Sequence, residues 1–127
     1  MSKKIVKPAG APQPVGPYNQ AVIAGQLVYT AGQIPLDLKT GALIQAGVPE
    51  QTRLVLTHLK AVLEGAGSSL EKVIKTTVFL KNMTDFPAMN AVYAEFFKTE
   101  TAPARSTVEV ARLPKDALVE IEAVALL

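Results

Sequence analysis

Residues 49–81, PEQTRLVLTHLKAVLEGAGSSLEKVIKTTVFLK, change hydrophobic period part-way along, and that change decides the fold class. In the first half Val55, Leu59 and Val62 fall at helical steps, and Leu56 and Leu63 widen the stripe. Arg53, Thr57, Lys60 and Glu64 take the opposite face. Pro49 suits the first helical turn, where no N–H partner is needed, and Glu50 complements the helix dipole there. Gly65 and Gly67 supply a stop. In the second half, from Lys72 to Lys81, β-branched and apolar residues dominate, so the segment reads as a largely buried strand. An amphipathic helix followed by such a strand predicts a helix lying on a sheet.

Reading outward, Ala21–Ala24 and Leu27–Ala31 flank Gly25-Gln26, which suits a type II′ hairpin with glycine at the first turn position. Pro35 ends the second strand and Asp37–Gly41 reads as a turn. The stretch from Pro8 to Pro17 reads as an ordered loop, preceded by a solvated, mobile end carrying Lys3, Lys4 and Lys7. Downstream, Thr84 or Asp85 can cap a second helix whose face is Phe86, Met89, Tyr93, Phe96 and Phe97. Ser106–Ala111 and Leu118–Leu127 are two further strands. The resulting order predicts an α+β fold, a mixed β-sheet with two helices packed on one face. Two helices leave the other sheet face open, so association through that face is expected.

The chain has 127 residues, a size that predicts a single domain over 1–127. Its net charge of +2 is too weak and too scattered to suggest a phosphate-binding surface, and no nucleic-acid partner is predicted. Cysteine is absent, and no apolar run approaches a membrane span. The N-terminal lysines have no apolar region behind them, so no signal peptide is predicted; the expected location is the cytoplasm. His58 is the one histidine, at the edge of the first helix's stripe, and reads as a helix-flank or subunit contact. No spacing suggests a metal site, and no glycine-rich loop offers a phosphate cradle.

What remains is charge placed where charge is expensive. Glu120 lies between Val119 and Ile121, with Glu122 on the same face, and a carboxylate there needs a partner or a raised pKa. Arg105 follows Pro103-Ala104 and immediately precedes a strand. One reading is a structural ion pair, Arg105–Glu120 or Arg105–Glu109. The other is an anion site, in which the guanidinium forks two hydrogen bonds onto a small carboxylate, each worth about 1.5–3 kcal/mol. Glu120 could then handle protons or orient water. Tyr18, after Gly16-Pro17, is either a packed tyrosine or a phenol delivered to a pocket. Gly32 is either a bulge or a point where a ligand approaches the backbone N–H. Asn90, near the Phe86/Tyr93 stripe, is a structural amide or a pocket residue.

Pro103-Ala104-Arg105-Ser106, Val108 through Lys115, and Val119-Glu120-Ile121-Glu122-Ala123 resemble the C-terminal signature of the Rid (YjgF) family of reactive intermediate deaminases, most nearly its RidA-type subgroup. Gly16-Pro17-Tyr18, Gly32-Gln33-Ile34-Pro35, Lys75-Thr76-Thr77-Val78 and Asp85-Phe86 with Asn90 extend the resemblance, in family order. It implies a chorismate-mutase-like subunit in a homotrimer with interfacial sites. It also implies hydrolysis, without cofactor or metal, of imines such as 2-iminobutanoate and 2-iminopropanoate to 2-keto acids and ammonia. Such imines are released by pyridoxal-phosphate dehydratases.

By position, Arg105 would bind the substrate carboxylate with help from the Gly32 N–H, and Glu120 would orient or activate water. The Thr107 carbonyl would engage the imino nitrogen or water, and Tyr18 and Asn90 would line the pocket. Two positions depart from the family pattern: Ala31 stands where many members have serine, and Thr107 where close relatives often have cysteine. Two rival functions are a keto-acid-binding regulatory trimer without turnover, for which Glu120 is dispensable, and a ribonuclease or translation inhibitor, which the weak charge disfavours.

Overall fold

The structure, a computed structural model, describes residues 2–127. Six strands form one sheet: β1 (Lys4–Val6), β2 (Ala21–Ala24), β3 (Leu27–Thr30), β4 (Val73–Leu80), β5 (Ala104–Glu109) and β6 (Val119–Leu126). Their spatial order is β1-β2-β3-β6-β4-β5. All neighbours run antiparallel except β4 and β5, which are parallel. Helix α1 (Val48–Gly65) connects β3 to β4, and α2 (Phe86–Phe96) connects β4 to β5. Both are crossovers between strands of one direction, and both advance across the sheet the same way. Right-handed connection therefore puts both helices on one face.

The core lies between that face and the helices. Val55, Leu56, Leu59, Val62 and Leu63 of α1 meet Val78 and Leu80 of β4 and Val119, Ile121, Ala123 and Ala125 of β6, all buried. The alternation of β6 is complete: odd residues are buried, while Glu120, Glu122, Val124 and Leu126 face the other side. That side carries Tyr29, Lys75, Thr77, Phe79 and Val108 with no layer of this chain over it. The hairpin between β2 and β3 turns at Gly25 with φ 61°, and Gln26 keeps negative φ, as a type II′ turn requires.

Three expectations need correction. The N-terminus is no solvated tail at Lys4–Val6, because these residues form the edge strand β1, paired Lys4↔Ile23 to Val6↔Ala21. Lysine on an edge strand guards it against further pairing, so charge there was compatible with strand structure all along. Arg105 lies inside β5, not before it, since that strand begins at Ala104. His58 is buried rather than at a flank, and its Nε2 lies 2.7 Å from the Leu36 carbonyl oxygen. Burial lowers the pKa of its imidazole below the ordinary value, against the opposing hydrogen bond.

Candidate functional site

The six residues singled out from sequence fall into two groups on opposite faces of the sheet. Glu120 pairs with Phe79 in the β4–β6 register and points to the face without helices. Arg105 pairs with Thr76, which is buried on the helix face and hydrogen-bonds Tyr93 of α2. The ion pair between Arg105 and Glu120 is therefore absent, and among the described residues Arg105 has no acidic partner at all. Glu109 is engaged elsewhere, accepting from the Met83 N–H at 2.8 Å.

The first group is assembled where β3 ends. Gln33 and Ile121 exchange backbone hydrogen bonds of 2.8 and 3.2 Å, which fixes the chain at Gly32 beside Glu120. A Cβ on residue 32 would overlap the Glu120 carboxylate, with Cδ only 2.8 Å away, so any side chain there would push that carboxylate aside. The Gly32 N–H donates no hydrogen bond within the described residues. Two buried amides hold the surroundings: Gln33 Nε2 donates to Gln20 Oε1 at 2.7 Å, and Gln20 Nε2 donates to the Pro12 carbonyl at 2.7 Å. They tie the loop carrying Tyr18 to the end of β3.

Tyr18, Gly32 and Glu120 line one cleft of about 510 Å³, together with Pro12, Val15, Ile34, Leu36 and Lys115. Burial, and secondarily the neighbouring Glu122, raise the Glu120 pKa above the ordinary carboxylate value. A carboxyl in that condition is easier to protonate, which suits a proton-handling group.

The second group is assembled on α2 and β5. Arg105 Nη1 donates to Asn90 Oδ1 at 2.8 Å. Its Cζ lies 4.6 Å from the Tyr93 ring centroid and 5.3 Å from that of Phe86. These contacts fix the guanidinium plane while leaving most of its five donors free for an anion. Tyr93 has its hydroxyl pKa raised by burial, opposed by the Thr76 hydrogen bond and the Arg105 charge.

Thr107 follows two residues later on the same face, and its buried Oγ1 has no hydrogen-bond partner. The Val110 N–H donates to the Leu80 carbonyl. By two-residue alternation, the N–H and C=O of Thr107 then turn away from β4, to the free edge of the sheet. The backbone carbonyl is thus available to a ligand or another chain.

Residues 8–127 match the family described as Endoribonuclease L-PSP. The chain belongs to that family, the Rid (YjgF) family. It is similar to a RutC family protein of Pyrococcus horikoshii, 55% identical over 97% of each chain. It is also similar to a protein of Salmonella typhimurium named 2-iminobutanoate/2-iminopropanoate deaminase, 50% identical over 98% of each chain. Among solved structures it resembles Escherichia coli TdcF with bound serine, with TM-score 0.90, 46% identity and 98% of each chain covered. The α+β sheet with two helices on one face is thus the Rid fold.

Sequence reasoning missed the relay of Gln20 and Gln33, and it passed over Lys115. Glutamine near a glycine has no distinctive pattern, and Lys115 reads as an ordinary loop residue. Among the described residues no three His, Cys, Asp or Glu side chains converge as a metal site, and no helix is long and apolar enough to cross a membrane.

Proposed function

We propose that this Rid protein hydrolyses 2-iminobutanoate, 2-iminopropanoate and related imino acids to 2-keto acids and ammonia. The observation that carries the reading is the pair of incomplete halves. One is an immobilised guanidinium without a counter-ion; the other is a carboxyl of raised pKa over a glycine N–H. The deaminase name of the Salmonella relative supports the same reading.

Arg105 would fork onto the substrate carboxylate, with the Gly32 N–H as a further donor. Water would add to the imine carbon while Glu120 takes a proton. Glu120 returns that proton to the nitrogen, the carbinolamine hydroxyl gives up its own proton to nitrogen as C=O forms, and the C–N bond breaks to release ammonia. The Thr107 carbonyl would accept from the imino nitrogen or the water, and Tyr18 and Asn90 would wall and brace the site. An imine is already electrophilic, so positioning and one proton-handling group suffice without cofactor or metal.

Because Arg105 and Glu120 occupy opposite faces of one sheet, the reading requires two copies, one supplying each half. The uncovered face and the free edge of β5 are the surfaces for this, in a homotrimer of single-domain 1–127 subunits acting in the cytoplasm. Ribonuclease chemistry, which the family description names, is less well served by a cleft with one lysine and a net charge of +2.

The test is to generate the imine in situ with a threonine or serine dehydratase and follow keto-acid release. Wild type should accelerate release. Arg105→Ala should lose about 10²–10⁴-fold, the equivalent of two charge-assisted hydrogen bonds. No acceleration, with 2-ketobutyrate still bound, would transfer the site to a sensor without turnover.

A further inference from the structure

Lys115 occupies the cleft in an unusual backbone state. It has φ 55° and ψ 20°, and Asp116 after it has φ 61°; these are the two non-glycine residues at positive φ among those described. The turn is held from both ends. Leu113 and Ala117 are buried, the Asp116 N–H donates to the Leu113 carbonyl, and Arg112 Nε donates to Asp116 Oδ1 at 2.7 Å. Asp116 is therefore committed to Arg112, and Lys115 makes no ion pair among the described residues.

The cleft itself is polarised. Among the residues lining it, Lys115 is the one cation and Glu120 the one carboxylate, with Pro12, Val15, Ile34 and Leu36 as apolar wall. A substrate held by its carboxylate and imine needs nothing further if its side chain is methyl or ethyl. A free ammonium becomes useful when the side chain ends in a second anion, which an apolar cleft holding Glu120 would otherwise repel.

We infer that Lys115 is a specificity-determining residue that receives the distal carboxylate of imino acids derived from dicarboxylic amino acids, extending the substrate class beyond short alkyl imines. This rests on the imine-hydrolysis reading. The reaction is the same addition of water and loss of ammonia; only the far end of the substrate differs.

An amino-acid oxidase of suitable specificity can supply 2-iminoglutarate or 2-iminobutanoate in situ, with keto-acid release followed for each. The quantity to read is the ratio of kcat/KM for the dicarboxylic imine to that for the monocarboxylic one. Lys115→Met should lower this ratio about tenfold or more, the worth of one charge-assisted contact. Lys115→Arg should restore most of it, and Lys60→Met, on the outer face of α1, should leave it unmoved. Binding of 2-ketoglutarate by calorimetry should weaken in Lys115→Met more than binding of 2-ketobutyrate. If Lys115→Met lowers both substrates equally, or neither, the specificity role is wrong while imine hydrolysis stands. If wild type fails to accelerate 2-iminobutanoate hydrolysis, the functional reading itself has failed.

Discussion

Around Arg105 the neighbours are already in place: Asn90 accepts from it, Tyr93 and Phe86 lie against its plane, and Thr76 anchors Tyr93 in turn. Around Glu120 the equivalent support is missing. Its carboxylate has a glycine beneath it, a like charge at Glu122 beside it, and no donor among the described side chains. A cation can be fixed by aromatic faces and an amide without being neutralised. A half-buried carboxylate left without donors pays for its charge in desolvation and drifts toward the protonated form. On the proposed reading, one half would hold an anion still and the other would change protonation.

Separating the two halves genetically should have the largest effect. Arg105→Ala and Glu120→Gln should each remove most of the activity, the latter by about 10²–10⁴-fold as for loss of a general base. If each site takes its halves from two copies, mixing the two variants under exchange should restore activity. Random mixing around a head-to-tail ring leaves about a quarter of the sites with both native groups. A steady-state assay of the mixture therefore expects about a quarter of the wild-type rate. No recovery, with exchange verified by mass, would mean that the halves do not meet across copies.

Much of this architecture was legible in the sequence, and the gaps have definite causes. Helix α1 was readable because its apolar residues repeat at 3.6, and strand β4 because β-branched and apolar residues crowd it, although only alternate ones are buried, since one face of the sheet is uncovered. The two strands of the first hairpin were readable from one Gly-Gln pair. Strand β1 was not, because three residues with a lysine among them carry no period. The sequence singled out the individual candidates, but not their separation. Whether Arg105 shares a face with Glu120 depends on register across β4, where Arg105 aligns with Thr76 and Glu120 with Phe79. The parity of two strands joined only through a third is a tertiary fact that neither strand encodes. The Arg105–Glu120 ion pair failed on that parity, whereas Arg105–Glu109 failed because Glu109 accepts from the Met83 N–H instead.

A smaller effect sharpens the electrostatic side of the comparison. Glu120 has its pKa raised in the folded protein, so the folded state holds this proton more tightly than the unfolded one. Stability contributed by the group is therefore present at low pH and lost as pH rises through the folded value. Replacing it by glutamine removes the ionised form that costs stability at neutral pH. Glu120→Gln should raise Tm at pH 7, and the gain should vanish on acidification to about pH 4, near the ordinary carboxylate pKa. A Tm lowered by the substitution at pH 7 would mean that the carboxylate has gained a cationic partner in the assembly, and the contrast with Arg105 would need redrawing. Thermal melts across that pH range decide it.

The smallest effect concerns the turn that carries Lys115. A non-glycine residue in the left-handed region costs about 1–2 kcal/mol relative to an ordinary conformation, whereas glycine takes it freely. Glycine also loses about 0.5–1 kcal/mol more backbone entropy on folding. The two terms oppose each other, so Lys115→Gly should change stability by about 0–1.5 kcal/mol, in the stabilising direction. For a chain of this length that is a Tm rise of a few degrees at most. The same variant should lose the preference for dicarboxylic imines, so stability and specificity would move in opposite directions at one residue. A variant that is more stable and less selective would mean that Lys115 serves the cleft at a cost in stability. A marked fall in Tm would instead make the lysine a structural support of the turn, and its place in the cleft would then follow from packing alone.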